Sequence, residues 1–100
     1  MDGVGESGAR IEVRVTVHGR VQGVGYRWYA REAARTLGVD GWASNLPDGS
    51  VLVEAGGAAA AIEAFLDALR AGPPHASVTE VRRHPRSSGS PLPARFTILH

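Results

Sequence analysis

The chain has 100 residues, 43% of them apolar, and its basic and acidic side chains nearly cancel to a formal net charge of +1. One domain with its own core is expected at this length, and so balanced a composition suits neither a disordered chain nor one strongly drawn to nucleic acid. Cysteine and lysine are both missing, which excludes disulfides, thiol catalysis, thiolate metal sites, Schiff-base chemistry and a P-loop lysine.

Residues 1–10 are polar and Gly-rich, without the apolar run of a secretory signal, and read as a flexible segment. No later stretch is long enough in apolar residues to span a membrane, so a cytoplasmic location is expected. Ile11, Val13, Val15 and Val17 then alternate with Glu12, Arg14, Thr16 and His18, the period of a strand with one buried face. Ala30, Ala33, Ala34 and Leu37 follow helical spacing, and Gly38 stands where a helix ends in a left-handed residue. This predicts a helix from Tyr26 to Leu37. Asp40 to Leu46 reads as a second strand around Trp42 and Val51 to Ala55 as a third, joined by the turn Pro47-Asp48-Gly49. Residues 58–71 place Ile62, Phe65, Leu66 and Leu69 on one stripe, closed by Gly72-Pro73-Pro74. Val78 and Val81 mark a fourth strand, and Phe96, Ile98 and Leu99 a short fifth one beyond a Ser/Gly/Pro-rich loop, Pro85 to Pro93, expected to be mobile. Trp42 and Phe65 are assigned to the core.

The order βαββαβ, with an added final strand, predicts an α+β sandwich: an antiparallel-type sheet with both helices on one face. In that topology the first two strands run parallel with the third between them. Their ends therefore share one edge of the sheet, about 10 Å apart at two strand spacings.

At one of those ends, residues 19–27 join strand to helix through a turn nearly free of side-chain bulk. Gly23 and Gly25 can take positive φ, and the helix start at Tyr26 contributes unpaired amides and partial positive charge. No Ser, Thr, Asp or Asn stands at residues 23–25 to cap those amides. Arg27 adds a planar fork of donors matched to phosphate or carboxylate. An anion cradle and a plain tight turn with a solvent-facing arginine are both compatible with this pattern. Asn45 stands at the end of the second strand, and with Gln22 it completes the side-chain amides of the chain.

An amide cannot take a proton, so Asn45 can hold and aim a water but cannot act as a general base. Phosphoryl transfer can still proceed by positioning and electrostatics when the leaving group departs easily. A carboxylate, with a conjugate-acid pKa of about 4, is such a leaving group, and an alkoxide is not. The four histidines, His18, His75, His84 and His100, lack metal-ligand spacing, and His18 reads as a surface residue at a strand end. Arg31 and Arg35 follow Arg27 at four-residue steps and are either its solvated continuation or part of the field felt by an anion.

Gly19-Arg20-Val21-Gln22-Gly23-Val24-Gly25-Tyr26-Arg27, followed by Gly41-Trp42-Ala43-Ser44-Asn45 and Asp48-Gly49, resembles the acylphosphatase family, and the likeness spans about residues 11–99. The resemblance implies a ferredoxin-like fold over residues 11–100 and hydrolysis of acyl phosphates without metal or organic cofactor. Acetyl phosphate, carbamoyl phosphate and the anhydride of a glycolytic intermediate are such substrates. By position, Arg27 binds the phosphoryl group, Arg20, Val21, Gln22, Gly23, Val24 and Gly25 cradle it with backbone amides, and Asn45 orients the attacking water. Tyr26 replaces the commoner Phe, and the loop after His84 is longer and more polar than the family pattern. The expected partner is a small-molecule acyl phosphate, with no nucleic acid and no membrane, acting on a monomer. The competing reading is a non-catalytic anion-sensing or protein-interaction module on the same fold.

Overall fold

The computed structural model describes residues 9–86 and 90–100. Five strands and two helices follow one another as β1 (Arg10–Arg20), α1 (Tyr26–Leu37), β2 (Asp40–Asn45), β3 (Val51–Ala58), α2 (Ala59–Ala71), β4 (Ser77–His84) and β5 (Thr97–Leu99). The flexible segment expected over residues 1–10 lies outside the described residues up to residue 8, and Arg10 already pairs with Ala58 in the sheet.

The strands lie in the order β4-β1-β3-β2-β5. β3 is antiparallel to both β1 and β2, so β1 and β2 run parallel on either side of it, as expected. β5 departs from the antiparallel pattern by joining β2 in parallel, with Ala43 opposite Ile98 and Ser44 opposite Leu99. This brings residues 98–100 beside the end of β2.

Period-two alternation in β1 and β3 sends Val13, Val15, Val17, Val51, Val53 and Ala55 inward, each 3% exposed or less, against Ala30 and Ala34 of α1 and Ile62, Phe65 and Leu69 of α2. Phe96 enters the same core edge-on to Phe65, with ring centroids 5.6 Å apart. Ile11, expected on the buried face, lies at the sheet's margin and is 38% exposed.

Trp42 corrects the sequence reading: it is half-buried on the outer face of the sheet, opposite Glu54. The inward residues of β2 are the small Gly41 and Ala43. Gly41 has φ +136°, and a Cβ there would stand 1.9 Å from the Glu54 carbonyl oxygen, so a side chain is excluded by contact and by conformation together.

The outer face is a charge network. Glu54, only 6% exposed, accepts a 2.7 Å hydrogen bond from Arg14 and faces Arg86, which also donates to Glu12 at 2.7 Å. Burying a carboxylate is costly unless it is paired and hydrogen-bonded in this way. Arg86 belongs to the loop expected to be mobile. Residues 87–89 of that loop lie outside the described residues, and on either side it is tied to the sheet, by Arg86 and by the Pro93 carbonyl accepting from the Gly41 amide.

The hydroxyls of Tyr26 and Tyr29 donate to the Leu69 and Ala68 carbonyls in the last turn of α2, where helix carbonyls begin to run out of amide donors; Ala68 also accepts from the Gly72 amide at 3.0 Å. Burial pushes the Tyr26 phenol well above its ordinary pKa, with Tyr29 adding to the shift. Tyr26→Phe is expected to leave the Leu69 carbonyl unpaired in the core and to cost about 1 kcal/mol, seen as a fall in Tm of roughly 4–8 °C for a domain of this size. Thermal unfolding checks it, and an unchanged Tm would show that the hydroxyl contributes nothing.

Candidate active site

The site is assembled where β1 runs into α1 and β2 ends. A register shift between His18 and Gly19 reshapes the end of β1 against β4. Gly19, at φ +119°, lies so close to that strand that a Cβ would stand 2.1 Å from the Ser77 oxygen. Val21, 1% exposed, then anchors the turn in the core.

Gly23 and Gly25 take φ of +76° and +78°. No heavy atom lies within 4 Å of where a Cβ would stand on either, so conformational strain rather than crowding reserves these positions for glycine. Gly25 is the N-cap of α1, no side chain bonds to the cap, and no acidic residue occupies the first turn. The helix therefore begins with free amides and its positive end uncompensated.

Arg27 sits in that first turn, and its Nη1 donates to the Leu99 carbonyl at 3.2 Å. That bond uses one donor of the fork and holds the guanidinium toward the end of β5. Asn45, at the end of β2, lines the same cavity, and its Oδ1 is buried without a hydrogen-bond partner among the described residues. A buried acceptor left unpaired is costly unless something from outside completes it.

Gln22 sets the spacing between the two halves. Its Nε2 donates to the Leu46 carbonyl at 2.8 Å and to the Ser50 carbonyl at 2.9 Å, tying the Gly-rich loop to the β2–β3 hairpin one residue beyond Asn45. The hairpin is rigid in turn. Asp48 Oδ1 accepts from the Ser50 hydroxyl at 2.6 Å and from its amide at 2.9 Å, and these bonds hold the Asp48 carboxyl below its ordinary pKa.

A cavity of about 190 Å³ results, lined by Val21, Gly23, Gly25, Tyr26, Arg27, Trp28, Asn45, Ile98 and His100. It unites Arg27, Asn45 and three of the loop residues named from sequence. Arg20 lies at the end of β1, and Arg20, Gln22 and Val24 line none of the cavity. Sequence reasoning missed Trp28, Ile98 and His100. For the last two the missing information was the parallel pairing of β5 on β2; for Trp28 a signal was present, an aromatic placed directly after Arg27.

Arg31 pairs with Glu32 at 3.1 Å and Arg35 donates to the Phe96 carbonyl at 3.2 Å, and neither lines the cavity. His18 and His84, far apart in sequence, each place Nε2 2.8 Å from the Thr16 hydroxyl on the outer face. Among the described residues no cluster of three or more His, Asp or Glu could hold a metal ion, and no helix is long and apolar enough to cross a membrane.

The chain is thus a two-layer α+β domain with a ferredoxin-like strand order, carrying at one sheet edge a turn of free amides beside one arginine. The sequence matches the acylphosphatase family over residues 13–98. It is 50% identical over 76 residues to the acylphosphatase of Acidovorax sp., covering 76% of this chain and 78% of that one. To the acylphosphatase of Archaeoglobus fulgidus it is 45% identical over 71 residues, covering 71% and 80%. The crystal structure of acylphosphatase from Bacillus subtilis superposes with a TM-score of 0.78 at 33% identity, covering 92% of this chain and all of that one. The chain belongs to the acylphosphatase family.

Proposed function

We propose that the loop from Arg20 to Gly25 and the Arg27 guanidinium grip the phosphoryl group of an acyl phosphate while Asn45 orients the water that attacks it. Hydrolysis of acyl phosphates to carboxylate and inorganic phosphate is the activity of this acylphosphatase. Water adds to phosphorus, the bond from phosphorus to the acyl oxygen breaks, and the carboxylate departs with its electron pair. With a conjugate-acid pKa of about 4, that carboxylate leaves without a proton donor. The water's proton passes to the phosphate being formed or to solvent, since Asn45 cannot accept it. Free amides, the helix start and Arg27 stabilise charge on the phosphoryl oxygens throughout.

One observation supports this reading above the others: the buried Oδ1 of Asn45, without a hydrogen-bond partner among the described residues, lies on the same cavity as Arg27 and the Gly-rich turn. A module that merely sensed anions would have no use for an amide kept ready for water. The reading is completed by a monomer acting in the cytoplasm, and the absence of cysteine suits a reducing compartment.

The test is a comparison of two substrates with chelator present. Phosphate release from acetyl phosphate is expected to be rapid, and ethyl phosphate, whose alkoxide leaves poorly, is expected to remain almost untouched. Failure to release phosphate from any acyl phosphate, or equal rates on both substrates, would overturn the mechanism.

A further inference from the structure

We infer that the wall formed by Trp28, Ile98 and His100 receives the acyl part of the substrate and that Trp28 is the residue setting how strongly a flat, apolar acyl group is favoured over a small one, a role that rests on the acyl-phosphate reading above. These three residues share the cavity with Gly23, Gly25, Arg27 and Asn45. At about 190 Å³ the cavity has room for roughly six waters at ~30 Å³ each, more than a phosphoryl group and one attacking water fill. The remaining space has to accommodate whatever is attached to phosphorus.

The chemistry of that wall differs from the cradle. Trp28 is 57% exposed and makes no hydrogen bond or ring contact among the described residues. An indole face left open beside a polar anion cradle is available to a ligand ring. Ile98 adds an aliphatic surface to the same lining, fixed because β5 pairs with β2 at Ala43. The Arg27–Leu99 hydrogen bond couples the two parts, since the residue that grips the phosphoryl group also holds the strand carrying Ile98. Among the described residues no Asp or Glu side chain lines the cavity. An acetyl group covers little of the Trp28 and Ile98 surface, whereas an aromatic ring covers more.

The experiment measures kcat/KM of wild type, Trp28→Ala and Trp28→Phe on benzoyl phosphate and acetyl phosphate. Wild type is expected to prefer benzoyl phosphate, Trp28→Ala to lose about tenfold of that preference, the scale of one aromatic contact, and Trp28→Phe to recover most of it. The ratio between substrates cancels any general damage to the catalyst. An unchanged ratio in Trp28→Ala overturns the subsite while leaving acyl phosphate hydrolysis intact. A wild-type protein that turns over neither substrate overturns both readings, so the two failures are distinguishable.

Discussion

Arg27→Ala is expected to lose phosphate binding and turnover together, with kcat/KM on acetyl phosphate falling about a thousandfold, the range seen when a preorganised donor to a phosphoryl or oxyanion centre is removed. The reason is that the other donors in the cradle are neutral amides. Arg27 alone among the cavity-lining residues carries a permanent positive charge. Its removal also breaks the bond to the Leu99 carbonyl, which loosens the end of β5 at modest cost to stability. Arg27→Lys separates the two roles: a point charge returns and the planar fork does not, so binding should recover in part and turnover less. Calorimetric titration with inorganic phosphate and steady-state kinetics give the two readouts. Undiminished phosphate affinity in Arg27→Ala would show that the guanidinium does not hold the anion.

Asn45→Ala is expected to behave differently. Inorganic phosphate should still bind, because the loop amides and Arg27 remain, while kcat falls by about two orders of magnitude, as for a lost positioning contact. Stability should move the opposite way from activity. Removing a buried acceptor that has no partner among the described residues relieves a desolvation penalty of about 1–3 kcal/mol, offset in part by the space left behind. A thermal transition at or above that of wild type, combined with the loss of kcat, marks a group retained for chemistry at some expense to the fold. Equal loss of phosphate affinity in the two variants would mean that the roles of Arg27 and Asn45 are misassigned.

Much of this molecule was legible in its residue pattern. Alternation along residues 11–17, the helical stripe of Ile62, Phe65, Leu66 and Leu69, and the Pro47-Asp48-Gly49 turn are local signals, because backbone geometry sets their period over a few residues. The bounds of α1, Tyr26 to Leu37, agree with expectation at both ends, since glycine marks its start and its stop. Trp42 misled because the sequence reading puts it on the buried face of β2, whereas Gly41 and Ala43 are the inward residues of that strand. Period-two alternation alone does not say which of the two faces turns inward; the packing of the helices decides it.

Sequence alone determined the uncapped Gly-rich turn, the arginine in the first helical turn and the asparagine at a strand end, because each depends on residues adjacent in the chain. Tertiary structure alone decided their surroundings. Gln22 bridging to the Leu46 and Ser50 carbonyls, β5 pairing in parallel with β2 to bring Ile98 and His100 to the cavity, and Arg86 sealing Glu54 all join segments whose separation along the chain carries no pattern. Such contacts follow from how layers close over one another, and strand order, not local periodicity, selects which distant residues meet.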